Sequence, residues 1–154
     1  MLRKFIAFSL LLVIGLSCTK TADVIDYGPA DKKTIDTYLT AHNLVAQSTA
    51  SGLYYIIEKQ GGTNHPSLKS KVSVNYKGYL TNGTVFDSSY PTGAPLSIAL
   101  SGVVKGWQEG MQLIGVGGKM QLFIPSALGY GTIAKGAIPA NSVIIFDIEL
   151  VDFY

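Results

Sequence analysis

Four runs of the chain alternate apolar and polar residues, and two stretches carry a helical period. From Lys71 to Tyr79, Val72, Val74 and Tyr76 fall on one face and Ser73, Asn75 and Lys77 on the other, the signature of a half-buried strand. Asn82-Gly83 follows, a pair that accepts positive φ at both positions of a tight hairpin turn, and Val85-Phe86 begins the return strand. Alternation resumes over Pro95–Leu100, where Gly102 ends it, and over Lys119–Ile124, with Met120, Leu122 and Ile124 inward and Pro125 as the stop. A last run from Val143 to Val151 puts Ile144, Phe146, Ile148 and Leu150 on one face. Leu53 to Ile57 is a β-rich run closed by Gly61-Gly62 and Pro66. The helical windows are shorter. Asp31 is expected to cap one that carries Ile35, Tyr38, Leu39 and His42 and ends at Asn43. A second runs from about Lys105 to Ile114, with Trp107 and Met111 one turn apart, before a turn at Gly115 to Gly118. The pattern predicts about five strands around one short helix, plus the extra N-terminal helix, with no strand-helix-strand rhythm. That is an α+β domain with a mostly antiparallel sheet.

The N-terminus follows other rules. Arg3 and Lys4 precede an apolar run from Phe5 to Leu16, then Ser17 and Cys18. The run is shorter than the roughly 20 residues of a membrane span, and its positive flank and small residue before a cleavage point predict an export signal over residues 1–17. Gly15-Leu16-Ser17-Cys18 resembles the bacterial lipobox, with Gly15 where a large aliphatic residue is usual. The resemblance implies a diacylated Cys18 as first mature residue and a lipid anchor in the cell envelope. Thr19 after the cysteine leans towards the outer membrane, facing the periplasm. Thr19 to Ala30 is polar and aperiodic and reads as a tether. The chain thus divides into residues 1–17, a tether and helix over 18–51, and a domain over 52–154.

Charge narrows the partners. The chain has 12 Lys+Arg and 10 Asp+Glu, and without Arg3 and Lys4 the two signs balance. No basic surplus is left to neutralise phosphates, so nucleic acid is not an expected partner. One cysteine and the two separate histidines, His42 and His65, supply neither a metal-ligand set nor a nucleophile-base pair, and no cofactor is expected. Gly115-Val116-Gly117-Gly118 precedes a strand, not a helix, so its amides do not converge as a phosphate cradle requires. Asn82-Gly83-Thr84 spells a glycosylation sequon, but the hairpin turn accounts for it.

An inventory of aromatic residues remains: Tyr76, Phe86, Trp107, Tyr130 and Phe146. Their neighbourhoods run Val74-Asn75-Tyr76-Lys77-Gly78, Gly83-Thr84-Val85-Phe86-Asp87-Ser88-Ser89, Val103-Val104-Lys105-Gly106-Trp107-Gln108-Glu109-Gly110, Ile124 to Gly131, Ile138-Pro139-Ala140-Asn141 and Ile145 to Leu150. In that order, over about Gly52 to Tyr154, they resemble the FKBP family of peptidyl-prolyl isomerases. The resemblance implies a twisted antiparallel sheet wrapped over a short helix, with an apolar pocket between them. Carried over residue by residue, it implies Trp107 as pocket floor, with Tyr76, Phe86, Leu96, Val103, Val104 and Phe146 as walls. It implies Tyr130 as the hydroxyl that holds a substrate carbonyl, Asp87 as a buried carboxylate beside the pocket, and Ile138 in a flap over the mouth.

The implied activity is cis-trans isomerisation of X-Pro bonds in envelope or secreted proteins, with proline-containing polypeptides as clients and macrolides as inhibitors. A non-catalytic peptide-binding or assembly module on the same fold is the alternative. Three departures from the family pattern bear on rate and macrolide affinity. Leu96 and Ile98 stand where pocket-side phenylalanines are often found, no arginine follows Cys18 to pair with Asp87, and the flap is about one residue shorter and lacks a histidine often present there.

Overall fold

The computed structural model describes residues 28–154. The expected export signal over residues 1–17, Cys18 and the expected tether as far as Tyr27 lie outside the described residues. Helix α1 spans Gly28–Ala41. Strands follow at β1 (Gln47–Ser48), β2 (Tyr54–Lys59), β3 (Lys71–Leu80), β4 (Val85–Ser88) and β5 (Leu96–Ala99), then helix α2 (Lys105–Gly110), β6 (Lys119–Ile124) and β7 (Ile144–Phe153). Seven strands form one sheet in the order β1-β2-β6-β7-β3-β4, with β5 also on β3. All pairs are antiparallel.

The architecture is thus the α+β arrangement expected, with more strands than the pattern suggested. β1 is only two residues long, too short to show a period, and is defined by its pairing with Tyr54 and Tyr55. β3 is the spine. One edge pairs along its length with β7, while the other pairs with β5 over Lys71 to Val74 and with β4 over Lys77 to Tyr79. Two strands in succession thereby cover what would be a long unpaired edge.

The inner face of the sheet carries the main core, in which Val74, Met111, Leu122, Ile144 and Leu150 are inaccessible to solvent. Helix α2 closes on this face through two glycines one turn apart. A Cβ on Gly106 would stand 2.6 Å from Ile124 Cγ2, and one on Gly110 2.6 Å from Leu122 Cδ2. The bare backbone lets the helix sit against β6, and Trp107, between the two glycines, is held 3% exposed. Past Gly110 the helical window tightens into a 3₁₀ turn, Met111–Leu113.

The outer face carries a second core that strand alternation conceals. Phe123 and Ile145 point away from the main core yet are fully buried, because Ile35 and Leu39 of α1 pack on them together with Val143. Helix α1 is thereby part of the domain's packing.

Three details of α1 differ from expectation. It begins at Gly28, so Gly28 to Ala30 are helical and not tether, with Pro29 where its missing N–H costs nothing. Asp31 is therefore not the cap but a first-turn residue, 4% exposed, whose carboxylate accepts the Ser126 N–H at 2.8 Å and the Ser126 hydroxyl at 2.7 Å. His42 is exposed and stacks on Tyr38 at a centroid distance of 3.9 Å instead of joining the buried face. The helix stops at Ala41, and Asn43, the expected end, turns the chain away with a φ of 54°, a left-handed value that asparagine tolerates. Among the described residues no helix is long and apolar enough to cross a membrane.

Candidate active site

β3 and β7 bring the first two rings together. Strand alternation turns Tyr76 and Phe146 to the inner face, and the register sets Gly78 opposite Phe146. Gly78 has no side chain for a reason: a Cβ there would stand 2.6 Å from both Phe146 Cε1 and Phe86 Cε2. Into the space below the rings α2 delivers Trp107. Its indole meets Tyr76 edge to face at 5.3 Å and 83°, and Phe146 at 5.1 Å and 82°. Perpendicular contacts of this kind suit the ring quadrupoles and fix each ring by the next. The indole N–H is buried without a hydrogen-bond partner among the described residues.

The rings floor a cavity of about 240 Å³ lined by Tyr76, Asp87, Leu96, Ile98, Gly102, Val103, Val104, Trp107, Tyr130, Lys135 and Phe146. A wider depression runs along α1, lined by Lys32, Lys33, Asp36 and Thr37 among others. Exposed flexible side chains give it nothing to fix a ligand's orientation, so the aromatic cavity is the candidate site.

Of the residues singled out from sequence, Asp87, Tyr130, Tyr76, Leu96, Val103, Val104, Trp107 and Phe146 meet at this cavity. Phe86 and Ile138 do not. Phe86 sits half-buried behind Phe146, edge to face at 5.5 Å. Ile138 is 5% exposed in the main core, an anchor for the flap and not a cover over the mouth. Asp87 is also placed differently, being exposed instead of buried, because β4 is an edge strand. Its carboxylate accepts the Tyr76 hydroxyl at 2.7 Å and the Ser88 N–H at 2.9 Å. The turn after β4 is tied to the same tyrosine: Ser89 accepts the Tyr76 N–H on its buried hydroxyl at 2.9 Å and returns its own N–H to the Tyr76 carbonyl at 3.0 Å.

The polar rim is set by these contacts. Burial, then the hydrogen bond to Asp87, pushes the Tyr76 phenol well above the usual phenol range. Burial and, second, the Asp87 charge push Tyr130 up as well. Both phenols therefore stay neutral donors at any physiological pH. Val104 caps α2, and its carbonyl accepts the N–H groups of Trp107 and Gln108. The Val104 N–H takes no protein acceptor among the described residues.

Lys135, Ile98 and Gly102 line the cavity but were not among the site residues read from sequence. The alternation of β5 put Ile98 on the same face as Leu96, a usable signal. Lys135 had none: it reaches the cavity because the loop after Tyr130 folds back, with Lys135 and Ile138 bridged.

The model of the FKBP-type peptidyl-prolyl cis-trans isomerase family matches residues 62–151. The chain is 52% identical over 105 residues to the FKBP-type peptidyl-prolyl cis-trans isomerase FkpA of Buchnera aphidicola, covering 68% of this chain and 42% of that protein. To the FkpA of Escherichia coli it is 44% identical over 106 residues, covering 69% and 39%. The match thus spans about two fifths of the length of these relatives. The crystal structure of FkpA from Escherichia coli superposes with a TM-score of 0.73 at 39% identity, over 80% of this chain and 60% of that one. AtFKBP13 superposes with a TM-score of 0.63 at 34% identity, over 70% and 98%.

Proposed function

The chain belongs to the FKBP-type peptidyl-prolyl cis-trans isomerase family, and on that premise we propose that its aromatic cavity binds an X-Pro bond of a client polypeptide and speeds its rotation. The observation that carries this reading is the ring set of Trp107, edge to face with both Tyr76 and Phe146, flooring a cavity with a neutral phenol and a carboxylate at its rim.

Rotation about X-Pro crosses a barrier of about 18–20 kcal/mol and takes tens to hundreds of seconds unaided. No bond breaks. Twisting the amide removes its resonance, so the carbonyl becomes less polar and the nitrogen more pyramidal, a state that an apolar cavity solvates better than water does. Preference for the twisted form is the whole of the catalysis. A 10⁵-fold acceleration requires roughly 7 kcal/mol of such preference. In this reading Trp107, Tyr76 and Phe146 hold the proline ring, with Leu96, Ile98 and Val103 beside it. The Tyr130 hydroxyl and the Val104 N–H hold the flanking peptide. Asp87 orients Tyr76 and supplies a fixed negative charge; it moves no proton. Macrolide inhibitors of the family are proposed to enter the same cavity.

The place of action rests on the N-terminus. Residues 1–17 as an export signal and Cys18 as a lipidated cysteine would hold the domain at the bacterial envelope, on the periplasmic side of the outer membrane, where clients are envelope or secreted proteins. Mass spectrometry of the mature protein tests the anchor: an intact Met1 with unmodified Cys18 rejects it.

Activity is tested by NMR exchange spectroscopy on a short X-Pro peptide. Cis-trans cross-peaks that grow at substoichiometric protein support the isomerase. Shifted peaks without faster exchange, at stoichiometric protein, replace it with a non-catalytic binding module.

A further inference from the structure

We propose that Lys135 makes this site favour clients with an acidic residue next to the proline. The inference rests on the isomerase reading and adds a specificity to it.

Two charged side chains line the cavity, Asp87 and Lys135, and they are not equivalent. The Asp87 carboxylate is already engaged by the Tyr76 hydroxyl at 2.7 Å and the Ser88 N–H at 2.9 Å. The Lys135 ammonium has no carboxylate within ion-pair distance among the described residues, whereas Lys32, Lys77 and Lys119 each have one. It lies over the ring of Tyr130, 4.8 Å from the centroid. A cation over an aromatic face is attracted to it, but the contact leaves the ammonium free to donate to an incoming oxygen.

The position is built and not accidental to a loose loop. Lys135 donates its N–H to the Ile138 carbonyl at 2.9 Å and accepts the Ile138 N–H at 3.0 Å. Gly136, with φ of 57°, makes the two-residue turn between them, and Ile138 is buried in the main core. The lysine backbone is therefore fixed to the domain beside the residue proposed to hold the client's carbonyl. A peptide whose proline sits on Trp107 and whose backbone meets Tyr130 must carry a neighbouring side chain past this ammonium. A carboxylate there gains an ion pair, a neutral side chain gains nothing, and a second cation is repelled.

The test is the full-length protein with two peptide series, Xaa-Pro and Pro-Xaa, Xaa being Glu, Gln or Lys, read as kcat/KM. At one of the two positions Glu is expected to exceed Gln about two- to fivefold, the size of a solvent-screened ion pair. The ratio should fall towards one in about 1 M salt, where the Debye length is about 3 Å. It should fall to one in Lys135→Gln, reverse in Lys135→Glu and persist in Lys135→Arg. Ratios of one at both positions with active protein overturn the specificity alone. Preference for Lys peptides also overturns it, because Asp87 then governs the cavity. No acceleration of any peptide overturns the isomerase reading and this one with it.

Discussion

The carboxylate of Asp31, in the first turn of α1, takes both the backbone N–H and the hydroxyl of Ser126, in the turn that follows β6. Ninety-five residues apart in sequence, the pair fastens the N-terminal helix to the turn leading to Tyr130. Replacing Asp31 by Asn leaves one acceptor oxygen of a weaker, uncharged kind for two buried donors. Hydrogen bonds to charged groups contribute about 1.5–3 kcal/mol, so Asp31→Asn is expected to lower stability by about that much. Urea denaturation measures it, and Ser126→Ala should cost most of the same energy because the hydroxyl bond is shared.

Gly106→Ala tests how Trp107 is held. The new Cβ would meet the Ile124 side chain at 2.6 Å, so helix or strand must shift. Overpacking of this kind costs about 1–3 kcal/mol. Since Trp107 is the next residue, tryptophan fluorescence should change together with the melting temperature. A stable protein with unaltered emission would show that α2 does not depend on this close approach.

Removing the Tyr130 hydroxyl as Tyr130→Phe, or the Asp87 charge as Asp87→Ala, is expected to reduce kcat/KM by about 2- to 10-fold each, the worth of a hydrogen bond of about 0.5–1.5 kcal/mol. Neither residue is in the buried core, so melting temperatures should move little. Matched losses of activity and stability would instead mean that these side chains hold the fold.

On the outer face Tyr79 donates to Asp147 at 3.1 Å, and burial, ahead of the Asp147 charge, pushes its phenol well above the ordinary value of 10.0. The native state therefore keeps the proton that the unfolded chain loses near pH 10. With fewer protons bound in the unfolded state, stability is fully present below pH 10 and falls as pH rises above it. Chemical denaturation between pH 7 and about pH 11 should show that fall, with a shallower slope in Tyr79→Phe than in wild type.

The strand pattern of the domain was legible because its main core lies on one side of the sheet. Val72, Val74 and Tyr76, then Met120, Leu122 and Ile124, then Ile144, Phe146, Ile148 and Leu150, all keep the inward parity that alternation assigned. Two glycines flanking Trp107 were visible too, but their meaning was not, since close approach to Ile124 and Leu122 is a property of the packed pair. Phe123 and Ile145 broke the alternation for a reason no local window contains: a helix more than eighty residues earlier covers them.

The aromatic set was readable in the same way, as residue types in a recognisable order, while their distribution around the cavity was not. Phe86 supports the site from behind Phe146, Ile138 anchors the flap in the main core, and Asp87 is exposed because the strand bearing it lies at a sheet edge. Lys135 reaches the cavity only through the turn that pairs it with Ile138. Sequence alone determined the period of each element and the chemistry available to the site, because side-chain parity and residue type are local. Tertiary structure decided which side chains meet, what covers Phe123 and Ile145, and which charge at the cavity has no ion-pair partner among the described residues, because burial and pairing depend on neighbours distant in the chain.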